Sequence, residues 1–206
     1  MGKHTQSIDR DVVEKMKAGK PGSVFTPLDF LDLGSRDAVD QALSRNCRMG
    51  TIRKVARGLY DVPRKDPVLG VLSPRPDAVA QALAQRDAVR LQPSGALAAN
   101  LLGISDQIPM RMVFLTDGRA RRVQVGKNQI IFRKAASRQM ATAGRVSGDV
   151  IQALRWIGRK HIDDDVVARL QRHLTPDQKA QLIKDLRFAP AWVADIMSRV
   201  ALKEGS

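Results

Sequence analysis

Residues 35–63, SRDAVDQALSRNCRMGTIRKVARGLYDVP, constrain the fold more than any other part of the chain. The first half carries Ala38, Val39, Ala42 and Leu43 at three- and four-residue spacing, the period of a helix with one apolar face. Ser35 stands where an N-cap belongs, Arg36 and Asp37 open the first turn, and Gly50 ends the helix. Two short strands are expected at 51–55 and 59–62, joined by Ala56-Arg57-Gly58 and stopped by Pro63. Ile52, Val55, Leu59 and Val62 can then face inward, which crowds Arg53, Lys54 and Arg57 at the hairpin tip. A helix running into a cationic hairpin is the order of a winged helix-turn-helix.

Upstream patterning completes such a module over residues 5–63. Residues 7–18 place Ile8, Val12, Val13 and Met16 on one helical side, and Gly19-Lys20-Pro21-Gly22 breaks the run. Val24 and Phe25 read as extended. Thr26 caps a second helix with Pro27 at its first position, and Leu28, Phe30, Leu31 and Leu33 supply its apolar face before the turn at Gly34. Residues 64–76, with three prolines, read as a linker docked through Val68, Leu69, Val71 and Leu72. A second domain, 77–206, opens with a helix over 77–86, a strand at 89–91 and an Ala/Leu-rich helix at 96–102. Strands over 110–116 and 121–125 are expected to pair as a hairpin about Asp117-Gly118-Arg119, with a third at 129–134 after the Gly126-Lys127-Asn128 turn. Helices follow over 150–157, 164–173, 176–186 and 190–202, and Trp156 and Trp192 fall on apolar faces expected to be core. The fold class is α/β in the mixed α+β sense: a winged module, then a mixed sheet with a helical C-terminal part.

Charge points to the partner. The formal net charge is +14, and it is unevenly spread: residues 1–63 carry +3, 64–146 carry +9 and 147–206 carry +2. Such a balance favours a polyanion. With five Phe, two Trp and one Tyr, an aromatic platform for single strands is a poor fit, so duplex DNA is the expected ligand. On the helix, Arg36, Gln41, Ser44, Arg45, Asn46 and Arg48 are donors able to reach phosphates and base edges. In the wing, Arg53, Lys54 and Arg57 suit the backbone or the minor groove. Arg119, Arg121 and Arg122 are a possible second anionic contact, with an ordinary solvated charge run as the equal alternative. A plain protein-interaction module is the bland alternative for the helix and hairpin themselves. Charge reversal at Arg45 and Arg48 is expected to abolish DNA binding while leaving the fold intact.

Catalysis has little support. The run His161-Ile162-Asp163-Asp164-Asp165 suggests a divalent metal, but adjacent carboxylates diverge around a helix, and Asp ahead of an apolar helix ordinarily caps it. Ser94 lacks the glycine of a nucleophile elbow, and the isolated glycines make no phosphate loop. Cys47 is alone, which excludes a disulfide framework and a cysteine zinc site. No catalytic residue, metal or cofactor is expected. The N-terminus has no apolar signal core, Gln6 stands where a myristoylated Gly2 would need Ser or Thr, and no apolar run is long enough to span a bilayer, so a cytoplasmic protein without membrane contact is expected.

The winged module ending in GTIRKVARGLYDVP, followed by LQPSGALAANLLGI, a hairpin and a helical tail, resembles the AbiEi-type antitoxins of type IV toxin–antitoxin systems. The resemblance covers nearly the whole chain. It implies that the winged domain represses its own operon through inverted repeats in the promoter. It also implies that the second domain counters a nucleotidyltransferase-like toxin, usually without a stable complex. Arg36, Gln41, Arg45, Asn46 and Arg48 would be the helix contacts and Arg53, Lys54 and Arg57 the backbone contacts. A monomer, or a cooperative pair on adjacent half-sites, would occupy the DNA. The alternatives are a winged-helix transcription factor with a ligand- or partner-sensing second domain, and a metal-dependent nucleic-acid-processing enzyme using Asp163–Asp165.

Overall fold

The computed structural model describes residues 3–68, 70–107, 109–126 and 128–202, with side chains from residue 8 onward. Gly2, Leu69 and Lys127, singled out above, lie outside the described residues, as do the side chains of His4 and Gln6. In chain order the helices and strands are α1 (Lys3–Ala18), α2 (Arg36–Arg48), β1 (Arg53–Ala56), β2 (Leu59–Asp61), β3 (Arg64–Asp66), β4 (Gly70–Leu72), α3 (Pro76–Arg86), β5 (Leu91–Pro93) and α4 (Ala96–Leu101). There follow β6 (Arg111–Thr116), β7 (Arg121–Val125), β8 (Asn128–Lys134), α5 (Val146–Ile157), α6 (Asp164–His173), α7 (Pro176–Asp185) and α8 (Ala191–Ala201). The class is mixed α/β, as the patterning predicts. Two compact units divide the chain: 1–88 with 123–129, and 89–122 with 130–206.

In the first unit α1 lays Val12, Val13 and Met16 against Phe30 and against Val39, Ala42 and Leu43 of α2, with Ile52 closing the cluster. The three-residue and four-residue spacings thus place the buried faces where helical geometry puts them. Phe25 adds a third extended piece to the hairpin: its amide donates to the Tyr60 carbonyl at 2.8 Å and the Tyr60 amide donates back at 2.9 Å. The expected second helix is only a 3-10 turn, Pro27–Phe30. Thr26 and Asp29 cap each other, the Thr26 amide donating to Asp29 Oδ2 at 2.6 Å, and Ser35 already caps α2. The interval between the two caps holds one turn, so Phe30 reaches the core while Leu28 and Leu31 stay exposed.

Residues 64–76 are not a plain linker. β3 and β4 pair antiparallel with Arg64 opposite Leu72 and Asp66 opposite Gly70. Asp66 makes the turn, its Oδ1 accepting from the Val68 amide at 2.8 Å, a role that Asp plays well because its short carboxylate reaches the backbone two residues on. Helix α3 follows within the same unit.

The sheet that spans the middle of the chain has the order β5-β6-β8-β7. β6 and β7 therefore do not pair, contrary to the sequence expectation; β8 lies between them. Asp117 is held from the other side, accepting from the Arg90 amide at 2.9 Å and from Arg90 Nε at 2.8 Å. Gly118 lies so close to Val89 that a Cβ would come within 2.6 Å of its side chain. These ties carry 117–120 away from β6 instead of folding it back. The Ala135 amide then donates to the Thr116 carbonyl, joining the ends of β6 and β8.

The helical core of the second unit gathers Ala98, Ala99 and Leu102 with Val150, Leu154, Leu170, Leu182, Val193, Met197 and Val200. Trp192 packs against it, but Trp156 is exposed on the outer side of α5 beside Gly95, so the expectation of two core tryptophans fails for one of them. Thr175 and Asp163 cap α7 and α6, with Gln178 completing a capping box at the former. No described helix is long and apolar enough to cross a membrane.

Two carboxylates anchor this unit. Asp185, 1% exposed, accepts from Arg145 Nη1 at 2.7 Å, Gln181 Nε2 at 2.9 Å and the Ser147 hydroxyl. Removing one partner of a buried pair strands the other, so Asp185→Ala should cost about 2–3 kcal/mol, the half-exposed Arg145 tempering the loss, as a lower urea midpoint at unchanged slope. Asp149 accepts from Gln92 Nε2 at 2.7 Å, and Gly148 is obligatory beside it because a Cβ would overlap Gln92 Oε1. Burial pushes the Asp149 carboxyl up to about 6, the Gln92 hydrogen bond opposing. The folded state thus holds this proton more tightly than the unfolded chain. The associated stability is complete below about pH 4 and is lost as pH rises through about 6. In urea titrations from pH 4 to 7, Asp149→Asn should remove that component, and equal slopes for both proteins would contradict it.

Candidate nucleic-acid interface

Helix α2 starts at Ser35, whose hydroxyl accepts from the Ala38 amide at 3.3 Å, and stops at Gly50, which takes a left-handed φ of +71°. Its buried stripe is Val39, Ala42, Leu43 and Asn46. The opposite face presents Arg36, Asp37, Asp40, Gln41, Ser44 and Arg48 to solvent. The wing, β1 and β2, is an antiparallel hairpin with a register irregularity between Lys54 and Ala56, and Gly58 supplies the turn at φ +69°. Leu59 and Ile52 are buried, Val55 and Val62 half-buried, so the inward face is the expected one.

The polar residues expected to touch DNA divide sharply. Asn46 is 2% exposed, and its Nδ2 donates at 3.0 Å to both the Asp9 carbonyl and the Ala42 carbonyl. Arg45 turns to the same place, with Nε and Nη2 donating to the two oxygens of Asp9 at 2.8 and 2.7 Å. That pairing raises the Arg45 pKa further. Both residues fasten α2 to α1, so charge reversal at Arg45 would set two carboxylates face to face rather than leave the fold intact. Arg53 is likewise internal: it holds Asp61 through two bonds of 2.9 and 2.6 Å and reaches the Leu72 carbonyl at 3.0 Å, joining the wing to β4. Arg36 lies on the outer face but pairs with Asp40 at 2.9 Å.

Gln41, Arg48, Lys54 and Arg57 are exposed, and none of these three cations has a carboxylate partner among the described residues. They occupy the middle and end of α2 and the wing. Lys54 lies near Cys47, where its charge opposes the burial that pushes the thiol up. Burial also pushes Tyr60 up, between the hairpin and α2. The wing tip is braced from α3 by Arg86, whose Nη1 donates to the Arg57 carbonyl at 2.9 Å, leaving the Arg57 side chain outward. Arg119, Arg121 and Arg122 do not make one patch. Adjacent strand residues point to opposite faces, and the Arg121 guanidinium lies over the Phe132 ring at 4.8 Å while Arg122 is exposed.

The acidic run is fully engaged. Asp163 Oδ1 accepts from the Val166 amide at 3.0 Å, Asp164 pairs with Arg199 at 2.6 Å and Asp165 with Arg169 at 2.8 Å. Among the described residues no group of His, Cys, Asp or Glu is placed to hold a metal ion. Sequence patterning missed a second concavity, in the other unit, lined by Arg138, Thr142, Gln152 and Arg155. No motif marks it, since its residues come from a loop and one helix face.

The first unit thus sets two helices and a 3-10 turn beside a short hairpin, with exposed cations on α2 and the hairpin. Residues 11–182 match the model of a family described as a family of unknown function, DUF6088, and the chain belongs to that family. Among solved structures it is similar to that titled "Crystal structure of RV2827C protein from Mycobacterium tuberculosis", at 18% identity over 93% of this chain and 81% of that chain, with a TM-score of 0.49. No curated protein matches significantly.

Asn46→Ala should therefore behave as a packing variant. Loss of its two hydrogen bonds to the Asp9 and Ala42 carbonyls is expected to cost about 1–2 kcal/mol in chemical denaturation. Polyanion affinity per folded molecule should be unchanged; a large affinity loss at full stability would return Asn46 to the contact surface.

Proposed function

We propose that this protein is a DNA-binding antitoxin that represses its own operon, a cytoplasmic non-enzymatic regulator gripping duplex DNA through α2 and the wing. The observation that carries the DNA-binding part is the sorting of cations. Arg45 and Arg53 are neutralised inside the fold, whereas Arg48, Lys54 and Arg57 stay outward beside Gln41 and Ser44. Like charges gathered at a helix end and hairpin are relieved when an anion sits among them. Arg48, Lys54 and Arg57 then meet phosphates, while Gln41 and Ser44 offer the hydrogen bonding that distinguishes bases. Asp37 and Asp40 on the same face repel phosphates, which limits the helix contact to residues from Gln41 onward. So small a face needs paired half-sites for tight binding.

The antitoxin part is supported by the resemblance of GTIRKVARGLYDVP and LQPSGALAANLLGI to the AbiEi-type antitoxins. A nucleotidyltransferase-like toxin would be the functional counterpart of the second unit. The ligand-sensing transcription factor has one observation of its own, the concavity in that unit.

The test is a gel shift of the full chain on its own upstream duplex against scrambled duplex, from about 50 to 200 mM salt, the range over which phosphate-driven binding weakens steeply. Selective retardation is expected. Arg48→Ala and Lys54→Ala should each lower affinity, leave thermal stability unchanged and reduce the salt slope by about one. Equal, salt-labile binding to both duplexes would defeat the repressor. Co-expression with a neighbouring nucleotidyltransferase-like protein, scored as restored growth, tests the antitoxin part separately.

A further inference from the structure

The concavity in the second unit has a volume of about 310 Å³, at the small end of ligand pockets. Arg138, Gln139, Thr142, Ile151, Gln152, Arg155, Phe188 and Pro190 line it. Its polar wall is unusual in composition: two arginines, two amides and a hydroxyl, with no carboxylate. Neither Arg138 nor Arg155 has an acidic partner among the described residues, and both are exposed at the rim.

The floor is the telling part. Gln152 is 9% exposed and Thr142 is 4% exposed, so both polar side chains lie deep. Gln152 Oε1 accepts from the Ser94 hydroxyl at 3.3 Å, which fixes the amide. The Thr142 hydroxyl is a second polar group on the lining. Donors below and guanidiniums above converge on a volume that wants oxygen acceptors carrying negative charge, for which Arg is suited by its planar fork. The remaining wall, Ile151, Phe188 and Pro190, is apolar and calls for a flat, weakly polar moiety on the same ligand. Phe188 is already held by Arg187 and Arg145, their guanidiniums 4.9 and 5.7 Å from its ring centroid, so it offers an edge or rim rather than a free stacking face.

We propose that this pocket binds a nucleoside phosphate, the phosphates held by Arg138, Arg155, Thr142 and Gln152 and the nucleoside resting against Ile151, Phe188 and Pro190. It is a site separate from the cationic face of α2 and the wing, and does not depend on what that face binds.

Isothermal titration of the full chain with ATP, UTP and inorganic pyrophosphate, without DNA, tests it. The expected result is saturable binding of one nucleotide per chain, tighter than pyrophosphate, and weakened tenfold or more by Arg138→Ala/Arg155→Ala. Both substituted residues are exposed, so the variant should fold, and an unchanged melting temperature without ligand checks this. Lys54→Ala/Arg57→Ala, in the other unit, should bind nucleotide normally. Absence of saturable binding at millimolar nucleotide would overturn the proposal, as would equal affinity in the pocket variant. Pyrophosphate binding as tight as ATP would remove the nucleoside. Loss of duplex binding in the pocket variant without any nucleotide binding would make the arginines a DNA contact and overturn the site.

Discussion

Asp9 is the residue on which the cationic face depends. Its carboxylate takes both outward nitrogens of Arg45, and its carbonyl takes the amide of Asn46. Three bonds from one residue of α1 therefore fix the rotation of α2, and with it the direction in which Gln41, Ser44 and Arg48 point. Apolar packing alone would leave that rotation loose, because Val39, Ala42 and Leu43 are small or symmetric enough to tolerate a few degrees. A bidentate guanidinium–carboxylate pair is directional, and it sets the angle. Sequence separation is large, so the helix cannot be oriented until α1 is in place.

This explains why the site was only half legible. Helix α2, its Ser35 cap, its Gly50 stop and the wing follow from local signals: spacing, capping chemistry and glycine in the left-handed region. What a polar side chain does once the helix is formed is not local. Arg45 and Arg48 look alike in the sequence, and only the Asp9 carboxylate thirty-six positions away separates the internal one from the outward one. Arg53 carried a usable signal, since pairing β1 with β2 sets it opposite Asp61, and cross-strand opposite charges attract. The β6–β7 pairing fails for the same reason: Asp117-Gly118 is a good turn by composition, but Arg90, just ahead of β5, captures the Asp117 carboxylate.

The second unit follows a different plan. Its helices are placed by a continuous apolar core and stitched by Asp185, to which α7, the start of α5 and the loop before it all attach. Capping residues at α6 and α7 were readable because a cap needs only its own helix. The pocket was not, because Arg138 and Thr142 precede α5 while Gln152 and Arg155 lie along it. The middle segment's excess charge is thereby partly explained: Arg145 serves the core, Arg121 rests on an aromatic ring, and Arg138 opens on a cavity.

The division of the chain into units is not a division of the sequence. The first unit takes in 1–88 and also 123–129, which holds the end of β7 and the start of β8. A polypeptide released at residue 88 would thus lack a piece of its own first unit, and a ribosome must continue well into the second before the first is complete. Exchange of the first unit between relatives by a single recombination joint would leave this segment behind with its former owner.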